Sequence, residues 1–212
     1  MATLLVVRHG QAEGNGSHRF IGQSQVPLTA EGRDQAAALA ERLIAAPVTR
    51  LVASDLDRAI ATLEPLAARL RLSIEPDPRL REIENGEWTG LVPTEIAAGW
   101  PEMWLDYVGG TDVDRPGGER WSDVAARVVP VAEELLTTEG MVVVGTHGGP
   151  GLVLAAWAAG LTTEGNIFRG RLGALDNASI TVIDPGPRLV GFNDVGHLGV
   201  SPDPSLPFAP TR

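Results

Sequence analysis

The chain has 212 residues, of which 43% are hydrophobic, enough for the core of one domain or of one domain with a sizeable insertion. It contains no cysteine, which excludes disulfides, thiolate metal sites and a cysteine nucleophile. Its 17 Lys and Arg against 27 Asp and Glu give a formal net charge of −10. Nucleic acid and anionic membranes are therefore poor partners, and a small anionic ligand would need the few cations gathered in one pocket.

The first predicted element is a buried strand, Leu4 to Val7, that ends abruptly in Arg8-His9-Gly10. This apolar run is too short for a signal peptide or a membrane span, so we expect a cytoplasmic protein. A helix is predicted over 28–46, with Thr29 as its cap, followed by a strand over 50–53. A second helix is predicted over 54–70, and Pro65 within it predicts a kink or an early end.

The second half of the chain continues the alternation of strands and helices. An extended segment is predicted over 73–83, where Pro76 and Pro78 argue against a helix. Residues 86–118 are rich in Gly, Pro and large aromatics, which favours a short helical insertion, either a lid or a side element. The remaining predicted elements are a helix over 119–138, a strand over 141–145, a helix over 150–160 and strands over 179–183 and 188–192.

This alternation predicts a three-layer α/β/α sandwich with a mainly parallel central sheet and a small lid-like insertion at about 86–118. We expect one domain over 1–200. The Pro-rich tail, 201–212, has little to bury and is expected to be loosely ordered.

Two histidines follow predicted strands. His9 follows the first strand, and His147 lies in GTHGGPG, between the strand over 141–145 and the next helix. The carboxyl ends of parallel strands share one edge of a sheet, so both histidines would face one crevice if their strands are neighbours. A turn residue beside bending glycines explains His147 equally well at this stage.

Two charged residues extend the set. Arg58, in SDLDRAIAT, lies at the start of a predicted helix on the same sheet edge, although pairing with Asp55 or Glu64 on the surface is the usual fate of a lone arginine. Glu82 lies in the charged loop LREIENGEWTG and is not specific by itself.

The four elements together fit phosphoryl chemistry. Arginine forks neutralise and orient a phosphomonoester, which carries close to two negative charges. A neutral histidine with one ring nitrogen held by a hydrogen bond is a good nucleophile toward phosphorus. A carboxylic acid can protonate the departing alkoxide and, as carboxylate, then activate water.

These residues lie in motifs that resemble the histidine phosphatase superfamily, the branch that includes cofactor-dependent phosphoglycerate mutases and many small phosphatases. The resemblance covers most of the chain and rests on these segments: RHGQAEGN, GQSQVPLTAEGRDQA, ASDLDRAIAT, LREIENGEWTG, RPGGE, VVVVGTHGG, DNASIT and FNDVGHL.

The resemblance implies a phosphohistidine intermediate on His9 and a proton donor at Glu82, with no metal and no cofactor. It implies that the phosphoryl group is held by Arg8, Asn15, Arg58 and His147. Many members carry a Thr where this chain has Ala12, and a polar residue where it has Ile21. Losing those groups predicts weaker phosphate binding rather than inactivity.

Several neighbouring residues have competing interpretations. Glu84 and Glu87 could replace Glu82 as the acid, but solvated roles fit them better. His18 and Arg19 either line the entrance or form a surface loop, and His197 is interpreted as structural. The candidates for substrate specificity are His18, Trp100, Trp104 and Tyr107, although packing of the insertion onto the core explains the aromatic residues as well.

The predicted function is hydrolysis of a small phosphorylated metabolite by a phosphatase. The first alternative is a phosphoglycerate mutase, which must shield its phosphohistidine from water. The modest segment after Glu82, interrupted by Gly and Pro, favours hydrolysis. The second alternative is a non-catalytic phospho-ligand binding protein, whose expected mark would be loss of the nucleophile or the acid. The sequence leaves open whether the protein forms a homodimer.

Overall fold

The computed structural model describes residues 1–17 and 19–199. Six strands form one sheet, and they are β1 (Thr3–Arg8), β2 (Val48–Ala53), β3 (Ile74–Pro76), β4 (Met141–Thr146), β5 (Ile180–Asp184) and β6 (Arg188–Asp194). The α-helices of the described part are α1 (Ala30–Leu43), α2 (Asp57–Leu70), α3 (Pro93–Gly99), α4 (Pro101–Val108), α5 (Trp121–Leu136), α6 (Gly148–Ala158) and α7 (Ile167–Leu172).

The strand order is β3-β2-β4-β1-β5-β6, with the first four strands parallel and β5 and β6 antiparallel to their neighbours. Strands β1 and β4 are adjacent, and Arg8 pairs in register with Thr146. The next residue of each strand, His9 and His147, therefore leaves the sheet at the same edge. This meets the condition that the sequence left open for the two histidines.

Helices cover both faces of the sheet because the side chains of each central strand alternate between two cores. In β1, Leu4 and Val6 belong to the core formed with α5 and α6. Leu5 and Val7 belong to the core formed with α1 and α2. The predicted three-layer sandwich with a mainly parallel sheet is confirmed.

Prolines shape two segments differently from the sequence prediction. Helix α2 runs through Pro65 to Leu70, so of the two predicted outcomes, a kink or an early end, the early end is wrong. The neighbouring Leu63 and Leu66 are fully buried, and their packing offsets the missing backbone hydrogen bond. The predicted extended segment over 73–83 is a strand only over Ile74–Pro76, since Pro78 opens a 3₁₀ turn whose first position suits proline.

Two further boundaries differ from expectation. Helix α2 begins at Asp57, so Ser54 lies outside the helix, at the end of β2. Helix α7 has no predicted counterpart, because its six residues include a glycine and carry too little periodicity to stand out. By contrast, Thr29 caps α1 as predicted, with its Oγ1 accepting a hydrogen bond from the Gly32 amide at 3.1 Å.

The predicted insertion contains α3 and α4 and has a small aromatic core of its own. Its fully or nearly fully buried members are Trp88, Ile96, Tyr107 and Val113. Trp88 and Tyr107 meet edge to face, with ring centroids 5.5 Å apart. The insertion is therefore a packed helical element, as its composition indicated. The predicted loose tail, 201–212, lies outside the described residues.

Candidate active site

A cavity of about 480 Å³ opens at the carboxyl edge of the sheet. One side is formed by residues that follow the strands, among them Arg8, His9, Arg58 and Glu82. The other side is formed by the insertion and the start of α5. Asn15 and Arg19 also line the cavity, whereas His18 lies outside the described residues.

His9 is almost fully buried and is anchored by its own backbone. Its amide donates to the Thr146 carbonyl at 2.9 Å, and its Nδ1 lies 2.7 Å from the Gly10 carbonyl. A carbonyl accepts only, so Nδ1 carries the proton and Nε2 keeps its lone pair. Burial, together with the charges of Arg8 and Arg58, holds the pKa of His9 well below its usual value. The ring is therefore neutral and suited to nucleophilic attack.

Arg8 and Arg58 place two guanidinium groups beside His9 without a carboxylate partner within ion-pair distance in the described part of the chain. Arg58 is buried and donates to the carbonyls of Ser24 and Gly22 at 2.7 and 2.8 Å. The Nη1 of Arg8 donates to the Leu175 carbonyl, while its buried Nε has no partner among the described residues.

The surface pairing considered for Arg58 does not occur, because Asp55 forms its ion pair with Arg81 at 2.5 Å. Burial lowers the pKa of both Arg8 and Arg58, yet a guanidinium keeps its charge at any physiological pH. Two guanidinium groups with no carboxylate within ion-pair distance, whose charge Glu82 offsets only from farther away, make this end of the cavity a site for an anion.

His147 caps the amino end of α6 and is fully buried, with its ring centroid 5.1 Å from that of His9. Its Nε2 lies 2.8 Å from the Ser54 Oγ, which itself accepts a hydrogen bond from the Leu56 amide at 3.3 Å. This hydrogen bond engages Nε2, whereas the buried Nδ1 of His147 has no partner among the described residues. Burial and the neighbouring His9 and Arg58 hold the pKa of His147 well below normal.

Ser54 was not singled out from the sequence, which placed it inside a helix. The available signal was its position directly after β2, at the same sheet edge as the two histidines.

The side chain of Glu82 contacts the first turn of α6. Its carboxylate accepts hydrogen bonds from the Gly149 amide at 3.1 and 3.3 Å and from its neighbour Ile83 at 2.9 Å. A Cβ on Gly149 would lie 2.4 Å from Glu82 Oε1, so only glycine allows this approach. These contacts hold the carboxyl group of Glu82 in one position at the edge of the cavity.

The loop that carries Glu82 is held from behind by an ion pair between Arg127 and Glu119 at 2.7 Å. Arg127 Nη2 donates to the Glu82 carbonyl at 3.1 Å, and Glu119 Oε2 accepts from the Glu84 amide at 2.8 Å. Glu84 accepts from the Gly86 amide instead of lining the cavity, and the exposed Glu87 does not line it either. The geometry thus favours Glu82 over both alternatives.

Asn15 and Asn177 connect the first loop to the segment before β5. Asn15 Oδ1 accepts from the Ala12 amide at 2.9 Å and from Asn177 Nδ2 at 3.2 Å. Asn177 Nδ2 also donates to the His9 carbonyl at 3.0 Å. The sequence placed Asn177 in a family motif without a role, and only the fold brings it to His9. Ala12, where many family members have Thr, is buried, and Ile21 lines the cavity.

Of the aromatic residues predicted to contact substrate, Trp104 and Tyr107 line the cavity and Trp100 does not. Trp100 joins α3 to α4 and packs against Trp88, with ring centroids 6.4 Å apart. Its position between two helices turns it toward the core of the insertion.

In the part of the chain that the structure describes, no group of three or more His, Asp or Glu side chains is arranged to hold a metal ion. No helix of that part is long and apolar enough to cross a membrane.

The fold and this site define an α/β protein with two histidines and two arginines at the carboxyl edge of a mainly parallel sheet. The family model of the histidine phosphatase superfamily (branch 1) matches residues 4–194. The chain belongs to that superfamily, as the sequence motifs predicted.

Known relatives agree with the family. The chain is 35% identical over 185 residues to a glucosyl-3-phosphoglycerate phosphatase of Mycolicibacterium vanbaalenii, covering 83% of this chain and 81% of the relative. It is 38% identical over 134 residues to a probable phosphoglycerate mutase of Proteus mirabilis, covering 60% of each chain. A solved structure of a mycobacterial glucosyl-3-phosphoglycerate phosphatase superimposes with a TM-score of 0.80 at 34% identity, covering 91% of this chain and 98% of that one.

The predicted activity class, a phosphatase for small phosphomonoesters, is confirmed by the family and by these phosphatase relatives.

Proposed function

We propose that this phosphatase works through a phosphohistidine on His9 and needs no metal ion. The observation that carries the proposal is the neutral His9 ring, with Nδ1 held by the Gly10 carbonyl and Nε2 left for attack, beside two arginines that have no carboxylate within ion-pair distance in the described chain. Arg8 and Arg58, which line the cavity, bind the phosphoryl oxygens and neutralise their charge, and Asn15 adds a polar contact. His147 does not line the cavity, and its buried Nδ1, which has no partner among the described residues, is proposed to contact the phosphoryl group beside His9.

In the first step, Nε2 of His9 attacks phosphorus, the N–P bond forms and the P–O bond to the leaving group breaks. The alkoxide takes the proton of the Glu82 carboxylic acid and departs as an alcohol. In the second step, Glu82 as carboxylate takes a proton from water, the hydroxide oxygen bonds to phosphorus, and the N–P bond breaks. Inorganic phosphate is released, and both His9 and Glu82 return to their starting forms.

Hydrolysis is favoured over phosphoryl return to a bound product. The insertion after Glu82 contributes two short α-helices, and the exposed Arg19 of the first loop lines the cavity beside them. Water therefore has access to the phosphohistidine, which a mutase must prevent. The phosphatase relatives support the same choice.

The mutase alternative rests on the relative from Proteus mirabilis and is tested directly. The protein is given 3-phosphoglycerate with and without 2,3-bisphosphoglycerate, in the presence of a chelator, and 2-phosphoglycerate and inorganic phosphate are followed together. Phosphate release faster than isomerisation is expected. Isomerisation that outruns phosphate release would establish the mutase, and loss of all activity with the chelator would overturn the metal-free mechanism.

The substrate is proposed to be a small phosphorylated metabolite, and glucosyl-3-phosphoglycerate belongs in the first panel because it is named for the relatives. The panel also contains sugar phosphates, nucleotides and an aryl phosphate, with phosphate release as the readout. No release from any of them would favour a non-catalytic phospho-ligand binding protein. Three expectations remain predictions: a cytoplasmic location, no nucleic-acid, membrane or cofactor partner, and a possible homodimer.

A further inference from the structure

A second group of cationic and polar side chains lines the same cavity on the side of the insertion. It consists of Tyr107, Arg115, Trp121 and Arg169 and is called the insertion-side cluster below. Arg115 is 1% exposed, and its Nη1 donates to the Glu119 carbonyl at 2.5 Å. Its buried Nε has no hydrogen-bond partner among the described residues. A fully buried guanidinium with a free donor needs an explanation, because burying an unpaired charge is costly.

No carboxylate compensates this cluster within ion-pair distance in the described part of the chain. The nearby Glu119 carboxylate is held by Arg127 at 2.7 Å. The oxygens of Asp112 accept the backbone amides of Trp121 and Ser122 at the start of α5. Arg19, which also lines the cavity, does have a partner, since it lies 3.6 Å from Glu95. Asp112 offsets part of the charge of Arg115 without forming an ion pair, and the remaining positive charge of the cluster is available to a ligand.

The free groups of the cluster are donors. Arg169 Nη1 donates to the Tyr107 hydroxyl oxygen at 2.8 Å, so that hydroxyl keeps its own proton to give. The indole Nε1 of Trp121 is buried and has no partner among the described residues. A site that offers only donors and positive charge suits a group that only accepts, namely an anion.

Aromatic rings hold the two arginines in place. The guanidinium carbon of Arg115 lies 5.2 Å from the ring centroid of Tyr107 and 5.6 Å from that of Trp121. The guanidinium carbon of Arg169 lies 5.8 Å from the centroid of the same Trp121 ring. Such cation–π contacts fix a guanidinium without using its N–H groups. The cluster is thus pre-organised, and its donors stay free.

We propose that the insertion-side cluster binds a second anionic group of the substrate, so that the preferred substrates are phosphomonoesters that carry a carboxylate or a second phosphate. The inference rests on the proposed function, since it places the reacting phosphate between Arg8 and Arg58 and the second anion across the same cavity. A cavity of about 480 Å³ is in the range of small-molecule sites and accommodates one ligand that spans both ends.

The test compares matched esters that differ only in the second charge. The short pair is 3-phosphoglycerate and glycerol 3-phosphate, the long pair is 6-phosphogluconate and sorbitol 6-phosphate, and each differs by a carboxylate in place of a hydroxymethyl group. Glucose 1,6-bisphosphate against glucose 6-phosphate distinguishes a second phosphate from a carboxylate. In at least one pair, the ester with the second anionic group is expected to have a kcat/KM about 10- to 100-fold higher, as one or two charge-assisted hydrogen bonds provide.

The variant Arg169→Gln removes one charge of the cluster at an exposed position where folding is not at risk. It is expected to reduce that preference about 10-fold or more, mainly through KM. The matched control is Arg171→Gln, an exposed arginine of the same helix that does not line the cavity, and it should leave the preference unchanged. A wild-type protein without preference in any pair, or a preference that survives Arg169→Gln, would overturn the proposal.

A binding experiment separates this inference from the proposed function. The same pairs are titrated calorimetrically into His9→Ala, which cannot turn them over, with and without Arg169→Gln. If the ester with the second anionic group binds more tightly and Arg169→Gln abolishes this difference, the second anion site is supported, even if the wild type hydrolyses no ester. Equal binding within every pair refutes the site even if the phosphatase activity is present.

Discussion

The two ends of the cavity are built from different parts of the molecule. The phosphate end consists of residues that end a strand, directly follow one or begin a helix at one sheet edge, such as Arg8, His9 and Arg58. The insertion-side cluster draws Tyr107 from α4, Arg115 from a loop, Trp121 from α5 and Arg169 from α7. The first end depends on the backbone of the sheet and the second on side-chain packing. Reaction chemistry and substrate choice can therefore change separately, and the predictions below test this division.

The largest effect is expected from His9→Ala, which removes the proposed nucleophile of the phosphate end. Turnover of every ester should fall by at least about 10⁴-fold, whatever its second charge. Acid-quenched wild-type protein should carry an acid-labile, base-stable phosphoryl group that the variant lacks. His197→Gln, outside the cavity, serves as the control. Labelling that persists in His9→Ala would refute the assignment.

Glu82→Gln should reduce the hydrolysis of alkyl esters by about 10²- to 10⁴-fold, because their leaving group needs a proton. Aryl phosphates, whose leaving group is a weak base, should be affected far less. The measurement is kcat/KM for both classes, with Glu87→Gln as the matched control on the same loop. An equal loss for both classes would indicate a structural role for Glu82.

Gly149→Ala tests the position of Glu82 without changing its chemistry. The added Cβ would lie 2.4 Å from Glu82 Oε1, so the carboxylate must move. We expect a loss of about 10- to 100-fold, again larger for alkyl than for aryl esters, since a displaced acid misses the leaving oxygen. The control Gly99→Ala adds a Cβ that meets nothing within 4 Å. Full activity in Gly149→Ala would show that the contact is dispensable.

The phosphate end should also make the fold sensitive to acid. Both His9 and His147 have a pKa held well below the usual 6.5, so the unfolded chain binds their protons first. Their stabilising contribution is complete above pH 6.5 and is lost as pH falls from there toward the lowered values. Between pH 7.5 and 5.5 each histidine should therefore lower the free energy of unfolding, by on the order of 1 kcal/mol.

Urea unfolding at the two pH values measures this loss, and His147→Gln should remove one histidine's share of it. A pH dependence that is the same in His147→Gln and the wild type would contradict the assignment. The arginines of the insertion-side cluster keep their charge over this range, so that end should contribute nothing to the acid sensitivity.

The smallest effect is expected from Tyr107→Phe, which removes one hydroxyl of the insertion-side cluster. The preference for esters with a second anionic group should fall about 2- to 10-fold, the usual cost of one hydrogen bond. The measurement is the ratio of kcat/KM within each matched pair. An equal loss of kcat/KM for esters with and without the second anionic group would instead point to a general role for Tyr107 in shaping the cavity.

The sequence by itself determined the phosphate end and most of the sheet. Buried strands are visible as apolar runs, and a parallel sheet brings their carboxyl ends to one edge, so Arg8, His9 and His147 would meet there if their strands were neighbours. The resemblance to the family removed the alternative interpretations of His147 and Arg58. Glu82 needed the resemblance to the family as well, because a single glutamate in a charged loop has no signature of its own.

Only the tertiary structure decided the contacts between residues far apart in the chain. The hydrogen bond from Ser54 to His147, the amide of Gly149 at the carboxylate of Glu82 and the link from Asn177 to His9 join segments whose distance depends on the packing of helices on the sheet. The insertion-side cluster depends most on this packing, because its members come from three helices and a loop and no local periodicity in the sequence marks them. A pattern of residues specifies which face of an element is buried, whereas the neighbours that this face meets are set by how all the elements pack together.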